Sequence, residues 1–115
     1  MKIAIDFDSV LSDTMISWVK RYNQRFGKSI TKETHILKWE FWDDLDISDK
    51  IAFDIFDEVW TEWSKLPPTE TNLKEKIENL STYGQIDVVT EIKEKHILNV
   101  KYWLKEHGIP YNDLV

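Results

Sequence analysis

The sequence has no cysteine, and only three glycines and three prolines among its 115 residues. The absence of cysteine excludes a disulfide framework and thiolate metal sites. Few chain-breaking residues and 42% hydrophobic residues are typical of a compact folded domain and not of a disordered segment. No apolar run approaches the length that spans a bilayer, and no signal-like segment precedes the first apolar residues. The sequence therefore predicts no membrane partner and a cytoplasmic location.

Positive charge is also in short supply, since 15 basic residues stand against 21 acidic ones and the formal net charge is −6. This balance argues against a nucleic-acid backbone as a partner. It does not exclude a small phosphate ester, because a bound divalent cation would dominate the charge of its own site. The length predicts one folded domain.

The first strand carries the most informative residues. Ile3-Ala4-Ile5 is typical of a strand buried on both faces in a parallel sheet, and Asp6 and Asp8 follow at its carboxyl end. Open α/β sheets bind ligands at this end, and residues two apart on a strand point to the same side. Such a carboxylate pair can bind Mg²⁺, attack a phosphoryl group and transfer a proton. The alternative is that Asp-x-Asp is only a solvated strand end.

Two segments resemble a known family. Ile5 to Leu11 resembles the first motif of the haloacid dehalogenase-like (HAD) phosphohydrolases, and is most similar to their 5'(3')-deoxyribonucleotidase group. Ile86 to Thr90 resembles the second motif, and Ile97 to Tyr111 also resembles that group. The resemblance implies an α/β fold with a partial HAD-like Rossmannoid core of parallel strands, residues 1–12 and 85–115. Residues 13–84 would form a helical cap inserted between the first and second strands.

The resemblance also implies roles for the matching residues. Asp6 would be the nucleophile and a Mg²⁺ ligand, and Asp8 the general acid/base, which also contributes to the metal site. Thr90 would bind the phosphate.

Three further residues near the motifs bear on phosphate binding. Ser9, where the family usually has glycine, is a phosphate-binding candidate through its backbone N–H. Glu91 would repel phosphate unless its side chain turns away. Lys93 could compensate for that charge, or could be an ordinary solvated lysine.

The function implied by the resemblance is Mg²⁺-dependent hydrolysis of a phosphate monoester through an aspartyl-phosphate. The substrate class would be (deoxy)ribonucleoside monophosphates, as for a 5'-nucleotidase. The family's third and fourth motifs, which supply a lysine and further acids, have no counterpart here, and the chain is expected to be C-terminally truncated.

Two other hypotheses stay open. The chain could be a degenerate HAD-like protein without activity that acts as a binding module, with a homodimer or a complementing chain covering its exposed sheet edge. An aspartate-phosphorylated receiver domain is a third hypothesis, but the long helical segment between the two motifs disfavours it.

Aromatic residues are plentiful, with six tryptophans among them. Trp18, Trp60 and Trp63 recur at helical spacing, which favours a helical core. Trp39, Phe41 and Trp42 follow no clean period and are candidates either for a substrate pocket in the cap or for core packing.

Several residues predict where the helices begin and end. Asp13 and Ser48 are typical N-caps, and Gly27 is a typical C-cap. A second strand is predicted over Gln85 to Val89, and a last helix from about Lys93 to His107. The three histidines lack metal-binding spacing, and each is expected on the surface.

Overall fold

The computed structural model describes residues 1–35 and 41–115. In chain order the elements are β1 (Lys2–Asp6), α1 (Thr14–Phe26), α2 (Lys32–His35), α3 (Asp49–Thr61), α4 (Leu73–Ser81), β2 (Gln85–Val89), α5 (Ile97–Glu106) and β3 (Asp113–Leu114). Short 3₁₀ turns lie at Phe41–Asp43, Trp63–Lys65 and Glu94–His96. None of the helices in these ranges is long and apolar enough to cross a membrane.

The described strands form one sheet in the order β1-β2-β3, and both pairings are parallel. Lys2 pairs with Gln85 and Asp6 with Val89, so the carboxyl ends of β1 and β2 are level. Parallel neighbours need crossover connections, which the helical segments between them provide. The predicted α/β class with a partial set of parallel strands is confirmed.

The two faces of the sheet differ in burial. Ile86 and Val88 of β2 are buried, and Ile3 and Ile5 pack beside them on the same face. On the opposite face of β1, Lys2, Ala4 and Asp6 are all exposed. The prediction that β1 is buried on both faces was wrong, because no element of the described chain covers the face that carries Lys2, Ala4 and Asp6.

The predicted helix caps of α1 and α3 are present. The Asp13 side chain accepts a hydrogen bond from the Ile16 N–H at 3.3 Å, and the Ser48 hydroxyl accepts one from the Ile51 N–H at 3.2 Å. Gly27 ends α1 in the left-handed conformation, with φ 64°. These polar groups satisfy backbone atoms that the helix ends would otherwise leave without partners.

Between β1 and α4, the chain leaves the sheet after the turn that follows β1 and returns beside that turn. The Asp13 N–H donates to the Pro67 carbonyl at 2.8 Å, and the Thr69 N–H donates to the Leu11 carbonyl at 3.0 Å. We call residues 14–66, between these paired backbones, the insert. The wider cap predicted over residues 13–84 stays a prediction, and within that range α4 packs against β2.

One apolar core extends from the sheet into the insert. The Phe7 ring centroid lies 5.0 Å from that of Trp60 on α3 and 5.1 Å from that of Trp103 on α5. The Trp103 indole N–H donates to the Leu66 carbonyl at 2.9 Å, so its one polar atom is also satisfied. The insert is therefore packed against Phe7, the residue between the two predicted catalytic aspartates.

Candidate active site

The carboxyl ends of β1 and β2 bring three predicted site residues to one edge of the sheet. Asp6 is the last residue of β1 and pairs with Val89, and the Phe7 N–H donates to the Val89 carbonyl at 2.9 Å. Asp8 is the second residue after the end of β1, and Thr90 is the first residue after the end of β2. The structure thus places both aspartates and the threonine at the position where parallel sheets bind ligands.

A tight turn follows the two aspartates. The Leu11 and Ser12 N–H groups both donate to the Phe7 carbonyl at 3.0 Å, and the Ser9 N–H donates to the Ser12 carbonyl at 2.8 Å. Ser9 has φ 65°, a left-handed conformation that favours glycine. Because the Ser9 N–H is already paired, phosphate binding by Ser9 stays a prediction that would rest on its hydroxyl.

Asp8 lies in a pocket of hydroxyl groups. The Thr14 hydroxyl donates to Asp8 Oδ1 at 2.9 Å, and the Ser12 and Thr14 hydroxyl oxygens are 2.8 Å apart, with both residues buried. Burial raises the pKa of Asp8 from 3.8 to about 6; the Thr14 hydrogen bond opposes this rise, and the charge of Asp6 adds to it. A carboxyl group with this pKa can donate and accept a proton near neutral pH.

Sequence reasoning missed Thr14 as a partner of Asp8. Ser12 and Asp13 were interpreted only as helix-capping residues, and the Thr14 hydroxyl is brought to Asp8 by the turn between them. A hydroxyl at the start of the first helix after the motif is the only signal that the sequence offers.

We predict that Asp8→Asn stabilises the metal-free fold at neutral pH. The raised pKa means that the folded state binds a proton more tightly than the unfolded state. The ionised Asp8 carboxylate therefore lowers the free energy of unfolding above pH 6, and this loss disappears below pH 3.8. The shift corresponds to about 3 kcal/mol at pH 7.5. Asparagine keeps an oxygen that accepts the Thr14 hydrogen bond without the charge.

Urea unfolding of both proteins in the presence of a chelator measures this difference. The stabilisation should shrink to less than about 1 kcal/mol at pH 4, where Asp8 is protonated in the folded wild type. An equal stability difference at both pH values would contradict burial of the charge as its cause.

Just after β2, the residues with a predicted effect on phosphate binding have different surroundings. The Thr90 hydroxyl oxygen accepts the Ile92 N–H at 3.2 Å, which leaves its own hydrogen available to a phosphate. The Glu91 side chain is exposed. Lys93 Nζ lies 3.3 Å from Asp57 Oδ2 on α3, so this lysine already has a carboxylate partner.

Asp57 joins the insert to the loop that follows β2. Besides Lys93, its carboxylate contacts Lys95 Nζ at 3.3 Å and His96 Nε2 at 3.2 Å. Burial opposes ionisation of Asp57, but the hydrogen bonds from His96, Lys93 and Lys95 outweigh it and lower its pKa. His96 is only 4% exposed, so the expectation that it lies on the surface was wrong.

The predicted aromatic pocket is described only in part. Phe41 and Trp42 are 1% and 2% exposed, and Trp42 Nε1 donates to Asp49 Oδ1 at 2.7 Å. The Phe41 ring packs edge-on against Trp18, with centroids 4.7 Å apart. In this conformation both residues therefore belong to the core of the insert. Trp39 lies outside the described residues, and the pocket remains a prediction.

A cavity of about 460 Å³ opens beside the turn. Its size falls within the range of small-molecule sites. Lys32 Nζ, on its wall, lies 2.9 Å from Asp13 Oδ2, so the wall carries a fixed ion pair. The lining combines residues of the turn with residues of the insert: Ser9, Asp13, Met15, Lys32, Glu33 and Thr69.

The acidic donors at the sheet edge suit a divalent cation. Asp6 is exposed, and Asp8 has one carboxylate oxygen that Thr14 does not use. Mg²⁺ typically takes one or two carboxylates, waters and a substrate phosphate, and Asp6 and Asp8 fit that set. Within residues 1–35 and 41–115, no cluster of three or more His, Cys, Asp or Glu side chains forms a metal site by itself.

Comparison with known proteins gives one family and one fold. The family model described as deoxy (pyrimidine) 5' nucleotidase, cytosolic type C protein, matches residues 1–115. The crystal structure of a candidate β-phosphoglucomutase from Thermotoga maritima superposes with a TM-score of 0.55 at 18% sequence identity. The match covers 99% of this chain and 60% of that one, so this chain spans less than two thirds of that protein's length. No curated protein matches significantly.

Proposed function

Because the chain belongs to the family of cytosolic type C deoxy (pyrimidine) 5' nucleotidases, we propose that it hydrolyses the phosphate monoester of a nucleoside monophosphate. Membership of this family confirms the resemblance to the HAD-like deoxyribonucleotidases. The observation that carries the proposed reaction is the contrast between exposed Asp6 and partly buried Asp8, close together with Thr90 at the carboxyl ends of β1 and β2.

The different environments of Asp6 and Asp8 suit different roles in the reaction. The exposed Asp6 carboxylate attacks the phosphorus atom, and the bond from phosphorus to the ester oxygen breaks. Asp8, whose pKa is about 6, gives its proton to the departing oxygen. It then takes a proton from the water that attacks the aspartyl-phosphate, which releases inorganic phosphate and restores Asp6. The Thr90 hydroxyl donates to a phosphate oxygen.

Mg²⁺ is the proposed cofactor, held by carboxylate oxygens of Asp6 and Asp8. When bound, it would supply positive charge that offsets the phosphate charge and the repulsion between the two carboxylates. Their mutual repulsion supports this assignment, since the charge of Asp6 contributes to the raised pKa of Asp8. Lys93 is the proposed additional cation that binds the phosphate. To do so, its ammonium group would have to leave the Asp57 carboxylate and contact the phosphate.

The nucleoside is proposed to occupy the cavity beside Ser9. The cavity adjoins the turn that follows the two aspartates, and its wall carries both charged and apolar groups, including Lys32 and Met15. Such a mixture can hold a sugar hydroxyl and a base edge while burying apolar surface. The proposed location is the cytoplasm, in line with the cytosolic type of the family.

A second candidate is a binding module without activity. The Asp57–Lys93 contact favours it, because the one basic residue predicted near the phosphate is paired with a carboxylate. This candidate predicts that nucleoside monophosphate binds and stays intact.

The decisive experiment is an assay of the purified chain with a pyrimidine deoxynucleoside monophosphate. Phosphate release should require Mg²⁺, cease with excess chelator, and exceed release from a sugar phosphate that lacks a base. Binding by calorimetry without release would support the second candidate. Neither binding nor release would overturn both.

A further inference from the structure

Three basic side chains of one loop converge on the carboxylate of Asp57. Its Oδ2 atom lies 3.3 Å from both Lys93 Nζ and Lys95 Nζ, and its Oδ1 atom lies 3.2 Å from His96 Nε2. Asp57 belongs to α3 of the insert, whereas its three partners follow β2 in the chain. This one carboxylate therefore links the insert to the loop that follows Thr90, a candidate phosphate-binding residue.

The same helix also contacts the residue between the two aspartates. Trp60, three residues after Asp57, lies on the same side of α3, and its ring centroid is 5.0 Å from that of Phe7. The Trp60 carbonyl accepts a hydrogen bond from Asn99 Nδ2 at 3.1 Å, which fixes this turn of α3 against α5. Asp57 therefore lies about one helical turn, or about 5 Å along the helix axis, from the contact with Phe7.

The three contacts of Asp57 are not equivalent. His96 is buried, whereas Lys93 and Lys95 are exposed lysines that share Oδ2. An ion pair between partly exposed groups is weak, because water screens it and the long side chains lose freedom when it forms. A phosphate group at Thr90 would offer Lys93 a more negative partner. Asp57 would then keep Lys95 and His96, so the departure of Lys93 would not leave a carboxylate unpaired.

We propose that Asp57 competes with the substrate phosphate for Lys93 and thereby limits the affinity of the site for phosphate. In the free protein Lys93 pairs with Asp57. In the complex its ammonium group contacts a phosphate oxygen, and no covalent bond changes in this exchange. The inference rests on the proposed function, since it needs phosphate to bind beside Thr90. It adds that a residue of the insert sets the affinity, and a weaker hold on inorganic phosphate favours release of this product.

Titration of the 115-residue chain with inorganic phosphate tests the proposal, followed by NMR at constant ionic strength with Mg²⁺ present. Asp57→Asn should bind phosphate about twofold to fivefold more tightly than the wild type, because Lys93 is released. Lys93→Gln should bind it at least about fivefold more weakly. The double variant should match Lys93→Gln, because Asp57 acts through Lys93. A purely structural role of Asp57 predicts the opposite sign, since a loosened loop would bind phosphate less tightly.

Three further variants serve as controls. Asp54→Asn removes the same charge one turn earlier on α3, where the carboxylate pairs with Lys50 at 3.3 Å, and should leave the phosphate affinity unchanged. Asp57→Glu keeps the charge and should stay close to the wild type. Asp57→Gln, a second neutral variant, should show the same tightening and takes the place of Asp57→Asn if circular dichroism shows that protein to be unfolded.

The outcomes separate this inference from the proposed function. Unchanged or weaker phosphate binding by the folded neutral variants, or tighter binding that persists when Lys93 is also replaced, would overturn the inference. A wild type that binds no phosphate would overturn it as well. Phosphate release from a nucleoside monophosphate would leave the proposed function standing in each of those cases. The predicted order of affinities without any release would support the inference and contradict the proposed hydrolysis.

Discussion

Replacing Asp6 by asparagine is expected to reduce phosphate release by at least about 1000-fold. The amide cannot form the aspartyl-phosphate, and it also removes one proposed Mg²⁺ ligand. Stability should change little, because Asp6 is exposed at the end of β1.

Asp87→Asn is the matched control for this variant. Asp87 lies on β2 opposite Ala4, on the same face of the sheet as Asp6, and accepts a hydrogen bond from Gln85 Nε2 at 2.9 Å. It carries the same charge but lies away from the carboxyl end of its strand, so its replacement should leave the rate within a few-fold of wild type. An Asp6→Asn protein that keeps more than a tenth of the activity would rule out Asp6 as the nucleophile.

Phe7→Ala is expected to cost about 3 to 5 kcal/mol of unfolding free energy. Phe7 is completely buried between Trp60 of the insert and Trp103 of α5, so its loss leaves a cavity where three parts of the chain meet. A domain of this size is stable by roughly 5 to 15 kcal/mol, so much of the population could unfold. The milder Phe7→Leu should cost about 1 kcal/mol and permit measurement if the alanine variant does not fold.

Phe53→Ala makes the same chemical change at the surface. Phe53 is 41% exposed on α3, and its replacement should cost less than about 1 kcal/mol in the same urea titration. Equal losses at the two positions would mean that Phe7 does not join the insert to the sheet. Loss of phosphate release in Phe7→Leu without loss of stability would indicate that Phe7 also positions Asp6 and Asp8, its neighbours in sequence.

Local patterns predicted the elements that position the site. The short apolar segment at residues 85–89 predicted β2 with its observed bounds, and the capping residues Asp13, Gly27 and Ser48 marked the helix ends. These signals are local, since a cap or a strand depends mainly on residues within a few positions.

Burial was harder to predict because it depends on what packs against a segment. Ile3-Ala4-Ile5 has the composition of a strand buried on both faces, but Ala4 is exposed because no described element covers its face of β1. His96 is buried and contacts Asp57, which is far away in the sequence. Thr14 reaches Asp8 only because the turn between them folds back, which no periodicity reveals.

The paired backbones at Leu11–Asp13 and Pro67–Thr69 bear on how the chain could diversify. Because the two ends of the insert are held together by their own hydrogen bonds, the length of chain between them is nearly free of geometric constraint. The entropy cost of closing a loop grows only slowly with its length. Insertions and deletions in the insert should therefore leave the sheet and its two aspartates in place, provided that Trp60 still reaches Phe7. The paired backbones mark a point at which substrate preference could evolve separately from the chemistry.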